Sequence, residues 1–458
     1  MRLRDIIDSP CGMRYMLEEL PLSCSFSSTY LLNTELASDA GTVEGRYSLV
    51  RHYSAILKRE NSNALINLRH RFFTLKDISR TIDRIASDDT VDDIELYEVK
   101  HLILTGIHIH DILVECRISP DGIDKEMLHE ALHILDPHDE MVDAFYVYDS
   151  YSAELTRIRE AISKENSAER LEYLKQEELI EQIRIRGEIC SRLRPFCSHL
   201  RSLLVTLIEC DIAIAKGEQI ASLGLVIPEV TDGGSCELIS LFHPLVKSSL
   251  AAAGKEFTPV DISFCDRPVV LTGANMGGKT VVLKMVTLSY YLMLMGMGVP
   301  AAKAVIPFRS SIFFVCGDSQ NIESGLSSFA AEMKSIDMAI AASEDVRKCS
   351  DMLVLVDEPA RSTNPLEGTA LVEALVSIFS ARHVNTLITT HYNIKAEGCD
   401  LYRVRGFENG KMNYKLFRTD LSEVPREALR VAAMMGISPY WIQMAEEQLK
   451  SAEGLKNN

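Results

Sequence analysis

The stretch Leu271-Thr-Gly-Ala-Asn-Met-Gly-Gly-Lys-Thr280 constrains this chain more than any other. It satisfies G-x-x-x-x-G-K-[ST] and stands between an apolar run, PVVL, and a helical one, VVLKMVTLSYYL. In that setting the glycines let successive backbone N–H groups turn inward around phosphates, Lys279 reaches the β- and γ-phosphates, and Thr280 ligates magnesium. Average residue frequencies give a chance match on the order of 1% in a chain this long, before strand and helix are required. The pattern predicts a nucleotide-binding loop over Gly273, Ala274, Asn275, Met276, Gly277, Gly278, Lys279 and Thr280, continued by Val281, with ATP and Mg2+ as its ligands.

Two further elements fit that loop. Leu353-Val-Leu-Val-Asp357-Glu358 is an apolar strand ending in two carboxylates. Asp357 can hold magnesium from the outer side, and Glu358 can orient or deprotonate the attacking water. Thr386-Leu-Ile-Thr-Thr390 then delivers His391 to a strand end, where it could sense the γ-phosphate, since open α/β sheets place ligands at that edge. Glu358, Lys279 and His391 are therefore the candidate catalytic residues, and Thr280 and Asp357 the candidate metal residues.

At 458 residues the chain should hold two to four domains. The eleven cysteines are scattered, with no C-x-x-C pair, which suits small core residues in a reduced cytoplasm. The start MRLRDIIDSPCGMRYM lacks the apolar region of a secretion signal. Met285 to Ala302 carries no charge, but it follows the loop directly and is expected to be a core helix, not a membrane span. A formal net charge of −17 opposes binding to the DNA backbone, which rests on Lys and Arg replacing counterions.

Up to about Pro137 the periodicity is helical, with a turn signal at Asp88, Asp89 and Thr90. From Tyr151 to Ser222 the sequence reads as two long helices folded into an antiparallel hairpin. Its residues 151 to 200 hold nine basic and nine acidic side chains, interleaved as on a solvated face. After Gly233 and Gly234, PVVLTG, FRSSIFFV, DMLVLVDE and NTLITTHY are short apolar runs suited to a parallel sheet buried on both faces. The last segment reads as two helices broken at Gly436 to Pro439.

The stretch from Phe242 to Tyr392 resembles the ATPase domain of the MutS family, a branch of the ABC-type ATPases. The resemblance runs through HPLV at His243, FTPVDISF at Phe257, LTGANMGGKT, the run ending SGLSSFAAEM, LVLVDEPARSTNPLEGTALVEAL and ITTHY, in that order and spacing. It implies that Phe257 stacks on adenine, that Ser327, Ser328 and Phe329 reach the γ-phosphate bound by a partner subunit, and that His391 is a switch residue. It also implies two composite sites in a homodimer, or in a pairing with a related subunit.

The implied architecture is multidomain, α and α/β. A helical core at 1–150 precedes antiparallel lever helices at 151–225; an ABC-type P-loop ATPase domain at 226–420 precedes a C-terminal helical dimerisation element at 421–458.

The likeness is incomplete. No Phe-x-Glu occurs, so the wedge of a mismatch-reading domain is absent from the sequence given, and the lever segment leaves no room for a clamp insertion. Ala274 stands where the family usually has Pro, Leu326 where it usually has Arg, and Pro359-Ala360-Arg361 follows the acidic pair. The expected function is ATP hydrolysis that remodels a protein partner. DEPARSTNPLEG and ITTHYN resemble reactivases of adenosylcobalamin-dependent lysine 5,6-aminomutase. The alternatives are a repair or recombination protein that binds DNA, and a non-hydrolysing nucleotide-gated scaffold. No membrane role is expected.

Overall fold

The computed structural model of the chain describes residues 1–138, 140–265, 267–273, 278–317, 328–345, 349–361, 363–394, 397–408, 411–419, 429, 432–433 and 436–456. Two compact units make it up: Met1–Leu20, Glu35–Ser48 and Gln219–Asn458 in one, Pro21–Thr34 and Leu49–Glu218 in the other. The chain is a mixture of helical and α/β structure, as its sequence implies.

The second unit is helical. Its 23-residue helix Asp93–Glu115 begins in a reciprocal cap in which Asp92 accepts the Glu95 N–H and Glu95 accepts the Asp92 N–H. The preceding turn lies where Asp88 and Asp89 announced it, with Asp88 at φ 68°. Lys100 of that helix is fully buried, 3.2 Å from the equally buried Asp136, and donates to the Ala144 carbonyl at 3.0 Å.

The segment expected to form two lever helices forms three, Ala153–Lys164, Ala168–Leu193 and Cys197–Leu223. One break falls at Glu165, whose carboxylate accepts the N–H groups of Asn166 and Ser167. The other falls at Pro195, which lacks the N–H that a continuous helix needs and sits in a 3-10 turn.

Among the described residues of the first unit, ten strands form two sheets. They are β1 (Glu229–Thr231), β2 (Cys236–Leu241), β3 (Val260–Phe264), β4 (Val269–Thr272), β5 (Lys303–Pro307), β6 (Ser311–Val315), β7 (Met352–Asp357), β8 (Asn385–Thr390), β9 (Asp400–Glu408) and β10 (Lys411–Arg418). The smaller sheet runs β1-β5-β2-β3 and the larger β10-β9-β4-β8-β7-β6. All pairs in the larger sheet are parallel except β9 with β10.

The four apolar runs read from sequence are β4, β6, β7 and β8, side by side in this sheet. Alternate residues of β4 and β7 face opposite cores. Leu271 and Leu353 pack with Leu283, Val286 and Tyr290 of the helix Lys279–Leu294. Val270 and Val354 pack with Val372 and Phe379 of the helix Pro365–Ala381.

Burial on both faces is why β4 and β7 are continuously apolar up to their last residue. The uncharged stretch after the loop is likewise core: Met285 through Leu294 are all buried. No described helix is long and apolar enough to cross a membrane. At the end of the chain, Pro439–Lys456 is a helix preceded by Gly436 at φ 72°, while most of 421–435 lies outside the described residues.

Candidate nucleotide site

Parallel pairing brings the ends of β4, β8 and β7 to one edge, with Thr272 beside Thr390 and Asp357 beside Thr389. β4 is followed by Gly273 at φ 147° and the helix starts after Gly278 at φ 79°, conformations that favour glycine. Ala274, Asn275, Met276 and Gly277 lie outside the described residues. The helix that opens at Lys279 follows Gly278, which has no side chain to cap it, and the first turn of a helix is where backbone N–H groups can meet an anion.

Thr280 lies in that first turn. Its hydroxyl is 2.9 and 3.1 Å from the two Asp357 oxygens. The Thr389 hydroxyl donates to Asp357 Oδ1 at 2.6 Å, and Cys316 Sγ lies 3.7 Å from Oδ2. The carboxylate is therefore held on both oxygens by neutral donors.

Lys279 Nζ donates to the Gly273 carbonyl at 2.8 Å and stands 3.2 Å from Glu358 Oε1. With side-chain exposures of 3% and 11%, the two form a largely desolvated ion pair. Arg361 approaches the other Glu358 oxygen at 3.4 Å from a solvent-exposed position.

Glu358 itself has φ 45° and Ala360 φ 59°, a strained turn for residues with a Cβ. The Glu358 N–H holds that turn by donating to the Thr389 carbonyl at 3.1 Å and hydroxyl at 2.9 Å. The Tyr392 hydroxyl holds it from below, donating to the Ala360 carbonyl at 2.7 Å.

His391 follows β8 directly, its ring 4.2 Å from that of Tyr392 and its Nδ1 buried with no hydrogen-bond partner among the described residues. Burial lowers its pKa; Glu358 opposes this and Lys279 and Arg361 add to it, so the ring is neutral near pH 7. Burial also pushes the Glu332 carboxyl up; the Ala360 N–H opposes this and the Asp357 charge adds to it.

Beside the loop, a cavity of about 410 Å3 is lined by Phe257, Val281, Gly278, Leu250 and Tyr414 among others. Its size and apolar walls suit a nucleobase. Phe329 is half-buried in the first turn of the helix Ser328–Ala342, while Ser327 and the Ser328 side chain lie outside the described residues.

The structure thus brings together Gly273, Gly278, Lys279, Thr280, Asp357, Glu358 and His391, and places Phe257 with Val281 in the adjoining cavity. The sequence reading missed Thr389, Cys316, Glu332 and Tyr414. Thr389 lies inside a run already read as a strand, but its pairing with Asp357 is a matter of register. Tyr414 sits in the β9–β10 hairpin, and the sequence Asn409-Gly410 between two alternating runs is a signal for such a hairpin.

A sheet edge of this composition defines a class before it defines a protein, and comparison with known proteins narrows it: residues 269–450 match MutS domain V. The likeness to that domain covers less than half of the chain. Endonuclease MutS2 of Streptococcus gordonii is 31% identical over 295 residues, 62% of this chain and 36% of the relative. Endonuclease MutS2 of Lactococcus lactis subsp. lactis is 31% identical over 288 residues, 60% of this chain and 35% of that protein. The protein of the same name from Solidesulfovibrio magneticus is 32% identical over 241 residues, 52% and 30% of the two chains. The chain spans about a third of the length of the curated relatives it matches.

Proposed function

We propose that this chain is a MutS-type P-loop ATPase that uses Mg2+-dependent ATP hydrolysis to drive conformational change. The observation that carries the reading is the convergence of Thr280 on Asp357 and of Lys279 on Glu358 at one sheet edge. Because the Thr280 O–H donates to Asp357, its oxygen keeps lone pairs for a metal. An all-oxygen donor set of hydroxyl and carboxylate suits a hard divalent cation. Magnesium held through Thr280, and by Asp357 from the outer side, would offset charge on the β- and γ-phosphates.

The remaining chemistry belongs to the chain. Lys279 exchanges its Glu358 contact for the phosphates, and the freed Glu358 carboxylate aligns a water for attack on the γ-phosphorus as the bond to the ADP oxygen breaks. Phe257 is proposed to stack on the base and His391 to report the γ-phosphate. Ser327, Ser328 and Phe329 are proposed to complete the site of a second subunit. The exposed Tyr440 and Trp441 of the helix Pro439–Lys456 supply apolar surface for that pairing. In this reading 226–420 is the ATPase domain, 1–150 and 151–225 are the core and lever, and 421–458 is the dimerisation element.

The expectation of an aminomutase reactivase draws no support from the relatives, which carry the name of an endonuclease. That name favours DNA as the partner, whereas the net charge of −17 favours a protein. A duplex-DNA titration across salt decides between them. Micromolar or tighter binding with a steep salt slope establishes the DNA reading. Binding that stays weaker than millimolar at low salt leaves a protein partner. A fluorescent ATP analogue tests the site itself: it should bind wild type, bind Phe257→Ala about ten-fold more weakly through lost stacking, and bind Lys279→Ala weakly or not at all. Equal affinity in all three would sink the proposal.

A further inference from the structure

We infer that Thr389 is a positioning residue that locks the metal-facing carboxylate to the backbone of the proposed base, an inference that rests on the nucleotide reading above. Its hydroxyl is buried at the centre of the sheet edge and makes two directed bonds. It donates to Asp357 Oδ1 at 2.6 Å and accepts the Glu358 N–H at 2.9 Å. A hydroxyl that accepts from one side is a better donor on the other, so the two bonds reinforce each other.

Thr280 cannot replace it. Its hydroxyl is shared between both Asp357 oxygens at 2.9 and 3.1 Å, and it belongs to the helix that phosphate and metal engage. Cys316 Sγ, at 3.7 Å, is a weak donor on the opposite oxygen. Among the described residues, Thr389 alone joins Asp357 Oδ1 to a neighbouring strand through a side-chain hydrogen bond. It thereby orients the carboxylate that faces the metal and ties that orientation to the strained turn at Glu358.

The same geometry makes the inference testable. The Glu358 N–H also donates to the Thr389 carbonyl at 3.1 Å, so a side chain without the hydroxyl leaves that N–H bonded and the turn in place. Thr389→Val keeps the shape and removes only the donor and acceptor.

Binding of a fluorescent ATP analogue, titrated with Mg2+, reads the effect without turnover. In Thr389→Val the Mg2+ concentration for half-maximal enhancement of binding should rise about ten-fold or more, as expected for losing a hydrogen bond to a charged group. Binding without Mg2+ should stay at the wild-type level, and Thr389→Ser should return the Mg2+ dependence to wild type.

Wild-type Mg2+ dependence in the valine variant would overturn the inference, as would a serine variant behaving like valine. Should valine not fold, Thr389→Ala carries the same comparison. A wild type that binds no nucleotide sinks the nucleotide reading itself, whereas a wild type that binds with Mg2+ dependence beside an unaffected valine variant removes only the role of Thr389.

Discussion

Lys279 and Glu358 hold each other in a site from which water is largely excluded, and in the proposed mechanism each is needed elsewhere when nucleotide arrives. Removing one member of such a pair leaves a buried charge seeking a partner. Glu358→Gln should therefore bind ATP tighter than wild type, about ten-fold for each 1.4 kcal/mol no longer spent on breaking the pair. Equilibrium titration of a fluorescent analogue checks this, and weaker binding would contradict it.

Acid stability follows from a different residue. His243 is buried and its pKa is lowered to about 4, by burial first and then by the Lys284 charge. The unfolded chain takes up that proton near pH 6.5 and the folded chain only near 4, so stability is complete above 6.5 and falls as pH drops through this window. The loss is on the order of 2–3 kcal/mol by linkage. Urea unfolding at pH 7, 5.5 and 4.5 should show a steeper fall for wild type than for His243→Gln, and parallel slopes would refute it.

The loop after β7 depends on a close approach between elements. A Cβ on Gly368, in the helix Pro365–Ala381, would lie 2.4 Å from the Tyr392 hydroxyl and 2.5 Å from the ring carbon that bears it. Gly368→Ala should push the ring away, break its bond to Ala360 and cost about 1–3 kcal/mol of overpacking. Tyr392→Phe, which removes only the bond, should cost about 1 kcal/mol. Thermal melts compare the two, and an alanine variant as stable as wild type would contradict the packing.

At this scale the sequence was informative where burial is one-sided in chemistry. β4 and β7 are apolar up to their last residue because both faces are covered, and the candidate residues Asp357, Glu358 and His391 follow from their place at a strand end. The β9–β10 hairpin went unread because its charged residues, Arg403, Arg405 and Lys411 among them, give no such run. The lever segment was misread because Pro195 and the Glu165-Asn166-Ser167 turn were passed over. Thr389 could not be found because a register between strands far apart in the chain leaves no local mark.

Across the whole molecule, the matched region and its strand-end residues were legible, while the partner was not. Net charge is an average that hides local patches, and the relatives extend well beyond what this chain covers. Pairing of two copies is the whole-molecule claim with the plainest readout. With ATP and Mg2+, Glu358→Gln should sediment at twice the mass of one chain, and a single-chain mass at every concentration would contradict it.

Hydrolysis at the Lys279–Asp357–Glu358 edge is the central claim, and steady-state phosphate release tests it most directly. Wild type should release phosphate from ATP only with Mg2+, while Lys279→Ala and Glu358→Gln should be slower by roughly 100-fold or more, the range expected for losing charge stabilisation or a positioned base. Equal rates in all three proteins, or a rate indifferent to Mg2+, would contradict it.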